Sequence, residues 1–317
     1  MRPFTFNPGP KLLAGPQQAQ ALAEKLPTGP CLLVTDEGLV RLGLTNAYQE
    51  AIGATRELIV FDAVEADPSK ETLLRATETG RTAKVSSIVG FGGGSPMDVA
   101  KLASYLIGSG DELEAIWGVG LARGSRLPLA LVPTTAGTGS EATPISVITC
   151  EGGVKLAVNS APLIADWAVL DATLTLGLPK NVTAATGIDA IVHAVEAYTS
   201  ARLKNPLSDA LAREALRLLN SNLLIAVEQP GNLEARSAML LGAHLAGLAF
   251  ANAPVAGVHA LAYPLGGLHH LPHGLSNALM LRHVLLHNLE AAREHYAELA
   301  EVIDPDCACE GSQARAA

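Results

Sequence analysis

The segment VSSIVGFGGGSPMDVAK, residues 85–101, predicts the fold of the first half of the chain. Its opening part, 85–91, is apolar and rich in β-branched residues, as expected for a buried strand. The glycines at 92–94 permit a tight turn, and a helical pattern runs from Pro96 to Leu106. A strand that passes through a glycine-rich turn into a helix is the repeating unit of parallel α/β sheets.

The residues before and after this segment extend the same α/β pattern. Short apolar runs alternate with helical patterns, which is typical of a parallel sheet covered by helices. The predicted strands are 31–35, 57–61 and 127–132, and the helices between the strands include 17–26 and 69–79.

The second half of the chain predicts helices only. From Asn181 onward, Ala- and Leu-rich stretches with helical periodicity replace the β-branched runs. Gly177-Leu-Pro179 marks the change, because glycine and proline interrupt regular structure. We therefore expect an α/β domain at 1–178 and an all-helical domain at 179–317. The predicted helices are 183–200, 206–227, 233–251 and 275–289.

Composition excludes several classes of function. The chain has 317 residues, 49% hydrophobic and 17% charged, with a net charge of −9, so it lacks the basic surface of a nucleic-acid-binding protein. The first residues lack the apolar run of a secretory signal, and no basic amphipathic segment suggests a membrane partner. Cys31, Cys150, Cys307 and Cys309 lack the spacing of a zinc site and are expected as free thiols. We expect a cytoplasmic protein without nucleic-acid or membrane partners.

The glycine-rich loop at 90–101 is a candidate phosphate site. Ser95 is the expected N-cap of the following helix, with Pro96 at its first position and Asp98 in its first turn. Free N–H groups at such a helix start would bind a pyrophosphate, and Gly92, Gly93 and Gly94 would allow its close approach. The loop fits neither GxGxxG nor a P-loop, so a tight structural turn stays the alternative.

A second loop, PTTAGTGSEAT at 133–143, follows the strand at 127–132. An ordinary polar crossover would explain it alone. However, both loops lie at the carboxyl ends of strands, where open α/β sheets bind their ligands. Hydroxyls for such a ligand come from Thr134, Thr135, Thr138 and Ser140.

The helical half contains a candidate metal site. Asp189 and His193 are four residues apart in GIDAIVHAVEAYTS (187–200), which places them on one helix face. Farther along, His259 and His273 bracket a predicted turn that contains Gly and Pro. One carboxylate and three imidazoles suit iron(II), zinc, cobalt or manganese. The alternative for each histidine is a buried, hydrogen-bonded residue, and the roles of His269 and His270 stay open.

Together these segments resemble the iron-containing (group III) alcohol dehydrogenases over almost the whole chain. The resemblance implies an α/β nucleotide-binding domain with a parallel sheet followed by an all-α metal-binding domain, a dehydroquinate synthase-like architecture. It implies NAD and Fe²⁺ as cofactors, with Zn²⁺ also possible, a small alcohol or aldehyde as substrate, and a homodimer.

Residue by residue, the resemblance assigns the metal ligands to Asp189, His193, His259 and His273. It matches Gly94, Ser95 and Asp98 to the first cofactor loop, and Thr134, Thr135 and Thr138 to the second. In addition, Lys155 resembles a lysine near the nicotinamide ribose, and Asp36 resembles the acidic residue that meets the adenosine ribose in NAD-preferring members. The alternative for Asp36 is that it caps the segment that follows.

Two departures from the family pattern stand out. Tyr263 replaces a histidine found in many members four residues after the third ligand. It is expected either to relay a proton or only to pack ahead of Pro264. The chain also ends at Ala317, where most relatives continue, so we expect either a naturally short helical domain or a truncated sequence.

We therefore expect a metal-dependent, NAD-linked alcohol dehydrogenase or aldehyde reductase. Maleylacetate reductases are an alternative, although as a group they lack the full metal set. A hydroxyacid–oxoacid transhydrogenase with tightly held NAD is another. A catalytically inactive scaffold that binds nucleotide or metal is the third.

Overall fold

The computed structural model describes residues 3–269 and 271–304, apart from the side chain of Leu268. Contacts divide the chain into two compact units. The α/β unit comprises 9–135 and 140–175, and the helical unit comprises the described residues of 1–8, 136–139 and 176–317. Each unit is therefore built from separate stretches of sequence.

A six-stranded parallel sheet forms the centre of the α/β unit, which confirms the expected sheet. Its strands are β1 (Lys11–Ala14), β2 (Cys31–Val34), β3 (Leu58–Phe61), β4 (Ser87–Gly92), β6 (Leu129–Pro133) and β9 (Trp167–Leu170). They lie in the order β1-β9-β6-β4-β2-β3, and every adjacent pair is parallel. The sequence patterns did not predict β1 and β9.

A smaller sheet belongs to the same unit. Its strands are β5 (Gly118–Val119), β7 (Ile145–Thr149) and β8 (Lys155–Asn159). Strand β8 lies in the middle, parallel to β5 and antiparallel to β7.

Both faces of the large sheet are buried, because successive strand residues point to opposite sides. On β4, Ile88 joins one apolar cluster together with Leu73 and Leu102, while Val89 joins a second cluster with Leu22. Helices cover these faces: α1 (Ala19–Ala23), α2 (Glu37–Arg41), α3 (Asn46–Gly53), α4 (Lys70–Thr82) and α5 (Gly94–Ser109).

Gly90 explains how closely α5 packs on the sheet. A Cβ at this position would lie 2.7 Å from both Ala100 Cβ and Leu131 Cδ2, which is too close for any side chain. The helix α5 thus lies against the sheet with its start at the end of β4.

The helical unit is built around its first long helix, as the Ala- and Leu-rich patterns predicted. The helices are α6 (Lys180–Thr199), α7 (Pro206–Glu228), α8 (Leu233–Asn252), α9 (Gly257–His269) and α10 (His273–Ile303). Val192 of α6 packs with Val258 of α9 and Val284 of α10 in one buried cluster.

The prediction of a turn between His259 and His273 was wrong over most of that stretch. Helix α9 continues to His269 with Pro264 inside it. Pro264 is tolerated because it and Ala260, whose carbonyl loses its helical donor, are both exposed, so solvent can satisfy that carbonyl.

No single helix in residues 3–269 and 271–304 is long and apolar enough to cross a membrane. Only α8 and the first part of α9 together reach that length and composition, as a pair bent by 106°.

Candidate metal centre and nucleotide loops

Helix α6 presents three titratable side chains on one face. Asp189, His193 and Glu196 follow one another at intervals of four and three residues, so they form one row along the helix. All three are buried, with exposures of 2%, 4% and 4%. Ionisable groups so fully removed from water need partners of opposite or complementary character.

Helices α9 and α10 bring two more histidines to this row. His259 Nε2 lies 3.6 Å from Asp189 Oδ1, and His273 Nε2 lies 3.5 Å from the same oxygen. Two donor atoms on one tetrahedral ion, each bound at about 2.1 Å, lie about 3.4 Å apart. The separations therefore suit ligands of a shared cation.

The third histidine completes a compact donor group. One donor atom each from Asp189, His193 and His259 lies within 4.8 Å of the other two. The His193 ring is stacked between Phe250 and His259, with centroid distances of 4.4 and 4.5 Å, so it cannot turn freely. The structure thus brings together all four side chains expected as ligands; their role as ligands stays a prediction.

Burial and mutual charge set the protonation of this group. Burial lowers the pKa of His193 to about 3, against the opposing effect of Asp189. Burial alone would raise the pKa of Asp189, but the neighbouring histidines outweigh it and the pKa is lowered. A neutral imidazole and an ionised carboxylate are the forms that bind metal.

The donor set passes a further test of fit for a cation. His193 Nδ1 is buried and has no hydrogen-bond partner, which is costly for a polar atom unless a ligand satisfies the ring. Burial disfavours charge on His259, yet the two nearby carboxylates, Asp189 and Glu196, raise its pKa to about 9. A cation that binds here must therefore compete with a proton on His259.

Two residues at the centre had not been singled out from the sequence. Glu196 accepts a hydrogen bond from His259 Nδ1 at 2.7 Å. Asn277 Nδ2 lies 2.5 Å from Asp189 Oδ1, 3.2 Å from His259 Nε2 and 3.3 Å from His273 Nε2, and Asn277 is fully buried. The row Asp-x₃-His-x₂-Glu was a signal for Glu196, since the three residues share a helix face.

Tyr263 lies on α9 four residues after His259, as expected. Its side chain is 47% exposed, and its ring centroid lies 6.2 Å from that of His273. The structure therefore places Tyr263 next to one of the candidate ligands and in reach of solvent.

The start of α5 differs from the sequence prediction. Gly93, not Ser95, is the N-cap, and it makes no side-chain cap bond; the helix begins at Gly94 and has no acidic residue in its first turn. Gly92 before it has φ +148°, which favours glycine. The helix begins earlier because glycine can take the extended N-cap conformation as readily as serine. The first amides of α5 have no side-chain cap to satisfy them.

Asp98 is therefore not a first-turn residue, and its carboxylate binds within the unit. It accepts hydrogen bonds from Ser140 Oγ at 2.6 Å and Val147 N at 2.9 Å. Buried Lys101 donates to Ser140 Oγ at 2.7 Å and to the Ile145 carbonyl at 2.6 Å. Asp98 and Ser140, both expected at the cofactor, thus join α5 to the second loop.

The second loop is divided between the two units. Thr134 and Thr135 belong to the α/β unit, where Thr134 N donates to the Gly92 carbonyl at 2.9 Å. Residues 136–139, including Thr138, belong to the helical unit. A Cβ at Gly139, where φ is +58°, would lie 2.7 Å from Gly247 Cα of α8. Packing thus explains this glycine without a phosphate.

Asp36 and Lys155 both have partners within the α/β unit. Asp36 caps α2, with Oδ1 accepting from Leu39 N at 2.9 Å, as the capping alternative predicted. Lys155 Nζ forms an ion pair with Asp67 Oδ1 at 2.6 Å. Their roles at a cofactor stay predictions.

Comparison of the sequence with models of known protein families shows which family the chain belongs to. Residues 9–172 match the family model of the iron-containing alcohol dehydrogenases, and residues 183–317 match the C-terminal model of the Fe-containing alcohol dehydrogenase family. The chain belongs to the iron-containing alcohol dehydrogenase family. The resemblance inferred from the motifs is confirmed, and the chain is an oxidoreductase of the alcohol dehydrogenase type.

Relatives of this alcohol dehydrogenase match most of its length. It is 43% identical to "Long-chain-alcohol dehydrogenase 1" of Geobacillus thermodenitrificans over 272 residues, which are 84% of this chain and 68% of the relative. The structure of an alcohol dehydrogenase from Oenococcus oeni is similar with a TM-score of 0.94 at 34% identity, covering 99% of this chain and 84% of that one. A sulfoacetaldehyde reductase from Bifidobacterium kashiwanohense, solved with NAD⁺, has a TM-score of 0.87 at 29% identity, covering 100% and 84%.

Some expectations for this alcohol dehydrogenase lie outside the described residues. They concern His270, the thiols of Cys307 and Cys309, and the shortened end of the helical domain. Among the described cysteines, buried Cys31 and half-buried Cys150 are free thiols, as expected.

Proposed function

We propose that this chain is a metal-dependent, NAD-linked alcohol dehydrogenase that interconverts an alcohol and its aldehyde or ketone. The observation that carries the proposal is the buried donor group of Asp189, His193 and His259, with His273 alongside it. Its carboxylate and imidazole chemistry suits Fe²⁺ or Zn²⁺. Family membership supplies the reaction class.

Asp189, His193, His259 and His273 would hold the cation. A divalent cation at this point supplies Lewis-acid chemistry, which favours loss of the alcohol's proton. Asp189, held ionised by its histidine neighbours, would neutralise part of the cation's charge. Burial of three of the donors restricts the approach of water to the side on which His273 is partly exposed. The alcohol is expected to enter from that side.

The proton needs a path from the buried centre to solvent. Tyr263 has an exposed side chain that ends in a hydroxyl, and its ring centroid lies 6.2 Å from that of His273. A hydroxyl both donates and accepts, so it can pass a proton along a hydrogen-bonded chain. We assign Tyr263 this role.

The nucleotide is proposed to bind at the start of α5. The N–H groups of Gly94 and Ser95 lack a capping side chain, and no carboxylate in the first turn opposes an anion. A pyrophosphate satisfies such amides and the helix dipole together. Thr134, Thr135 and Thr138 of the second loop would add hydroxyls. The relative from Bifidobacterium kashiwanohense, solved with NAD⁺, supports the choice of a nicotinamide dinucleotide.

Two side chains are proposed to refine the choice of cofactor. Asp36 would accept a hydrogen bond from the adenosine ribose, which favours NAD and repels the phosphate of NADP. Lys155 would approach the nicotinamide ribose and would then exchange its ion pair with Asp67 for the nucleotide.

Small aldehydes and primary alcohols are the proposed substrate class. Among the relatives, a "1,3-propanediol dehydrogenase" of Citrobacter freundii is 39% identical over 85% of this chain, and a "Sulfoacetaldehyde reductase" of Bilophila wadsworthia is 35% identical over 92%. Both names refer to a primary alcohol or an aldehyde.

We further propose that the protein is a homodimer and lies in the cytoplasm. Gel filtration with light scattering would test the homodimer, and localisation of the tagged protein would test the compartment.

The experiment is an assay of NADH oxidation with a panel of aldehydes. Chelated enzyme should be inactive, and Fe²⁺ or Zn²⁺ should restore turnover. His259→Ala should stay inactive with either ion, while His287→Ala, on the same unit, should behave as wild type. Turnover by metal-free enzyme at an unchanged rate would show that the mechanism is wrong. Turnover without added NADH, but with a hydroxyacid and an oxoacid, would indicate a transhydrogenase.

A further inference from the structure

The Glu196 carboxylate lies between His259 and the start of α9. Its Oε2 accepts from His259 Nδ1 at 2.7 Å, and its Oε1 accepts from Val258 N at 2.6 Å. Glu196 and His259 are each 4% exposed, so water does not compete for these bonds. Each carboxylate oxygen therefore has a defined donor, and the Ala256 backbone bonds to the same carboxylate.

Helix geometry makes this contact part of the centre. Glu196 follows His193 by three residues and Asp189 by seven, so all three point from one face of α6. Neighbouring His259 presents one ring nitrogen to Glu196 and the other to Asp189, which lies 3.6 Å from Nε2. The His259 ring is thus held between two carboxylates of the same helix.

The contact determines which nitrogen of His259 carries the proton. The Val258 N–H can only donate, which commits Oε1 to accepting. Oε2, being a carboxylate oxygen, also accepts, so Nδ1 must be the protonated nitrogen. In the neutral ring Nε2 then has its lone pair available toward Asp189, which is the form that a metal ligand requires.

We propose that Glu196 is a positioning residue of the metal centre, which fixes the ring orientation and the Nδ1–H tautomer of His259 while capping α9 through the same carboxylate. This inference rests on the proposed function in one respect, namely that His259 binds a metal ion. It adds that the affinity for that ion depends on a side chain that does not touch it.

Glu196→Gln is the informative change because it keeps the size of the side chain and replaces one oxygen by NH₂. If the amide oxygen stays with Val258 N–H, the NH₂ group faces His259 and moves the ring proton to Nε2. If the amide oxygen faces His259, two N–H groups meet at Val258. The first arrangement removes the ligating tautomer of His259, and the second removes the cap of α9 that holds the His259 ring in place.

The experiment measures Zn²⁺ affinity of the full chain by competition with a chromophoric chelator. Wild type should bind one Zn²⁺, and Glu196→Gln should bind it about 10- to 100-fold more weakly. The matched control is Glu298→Gln, which removes a carboxylate of the same unit that accepts from Tyr198 Oη at 2.6 Å, away from the centre. It should bind Zn²⁺ as wild type does. Equal affinity of Glu196→Gln and wild type would overturn the inference.

A second measurement needs no variant. In the Zn²⁺-loaded wild type, ¹⁵N spectra of the histidine rings should show His259 protonated at Nδ1, with Nε2 free of hydrogen. Protonation at Nε2 would overturn the inference even if Glu196→Gln fails to fold. Wild type that binds no Zn²⁺ or Fe²⁺ would instead contradict the proposed function, so the two failures are distinguishable.

Discussion

The hydroxyl of Tyr263 is the residue-scale feature most open to a direct test. Tyr263→Phe removes only that hydroxyl from a side chain 47% exposed, so folding and metal content should stay unchanged. If the hydroxyl passes the proton, kcat for alcohol oxidation should fall by roughly 10²-fold, the lower end of what positioned proton transfer contributes. The pH–rate profiles of both forms measure this. Superimposable profiles with equal kcat would leave Tyr263 as a packing residue.

Asp36 combines a structural bond with a proposed role in cofactor choice, and two substitutions separate them. Asp36→Ser keeps a capping oxygen for Leu39 N, whereas Asp36→Ala removes it and should cost about 1 kcal/mol in urea denaturation. Both variants lose the carboxylate, so both should lose preference for NAD over NADP in kcat/KM. A wild-type ratio in Asp36→Ser would mean that the carboxylate does not select the cofactor.

The positions of single site residues were predictable where spacing along one helix alone decides which side chains lie next to each other. The four-residue interval between Asp189 and His193 was sufficient to place both on one helix face. Asn277 escaped notice because two of its three contacts come from other helices, α6 and α9, and its position depends on how α10 packs against α6. Glu196 had the right spacing, but its function depends on α9, whose helical state the sequence did not indicate.

At the scale of elements, the approach of α10 to α6 depends on Gly274. A Cβ at this position would lie 2.1 Å from the carbonyl oxygen of Ala185, a backbone atom that cannot turn away. Gly274→Ala should therefore push the start of α10, including His273, away from Asp189. We expect weaker Zn²⁺ binding, by at least about 10-fold as for a lost supporting contact, and a lower melting temperature.

Gly267→Ala is the matched control for this change. Gly267 lies in neighbouring α9, and a Cβ there would meet nothing within 4 Å. Its Zn²⁺ affinity should equal that of wild type. Wild-type affinity in Gly274→Ala as well would show that the contact of α10 with α6 does not hold His273 in place.

The presence of strands and helices was predictable from the periodicity of apolar residues, but their boundaries were less predictable from glycine, proline and serine. The parallel strands and the long helices followed from alternating apolar runs and Ala/Leu periodicity. Helix α9 was missed because Pro264 and the glycines after it normally end a helix. The start of α5 was misplaced because serine is the stronger capping signal, and a glycine cap leaves no distinct pattern.

For the whole molecule, metal removal should lower stability. Asp189 and His193 are both buried, and a bound cation would offset the cost of burying these polar groups. An ion that binds only the folded chain adds about 2.7 kcal/mol when its free concentration is 100-fold above Kd. Urea denaturation of chelated enzyme, with and without Zn²⁺, measures the difference. His259→Ala should show little gain; a gain equal to that of wild type would place the stabilising ion elsewhere.

The path of the chain has a consequence for how such genes can recombine. The helical unit includes the described residues of 1–8, where Asn7 exchanges hydrogen bonds of 2.6 and 2.9 Å with Asn252 of α8. It also includes the short insert 136–139, which contains Gly139. A single crossover between two related genes, placed after residue 139, would therefore join the helices of one parent to residues 1–8 and 136–139 of the other. Chimeras are therefore expected to fold mainly when these two short segments are compatible with the helices of both parents, or when they are exchanged together with those helices.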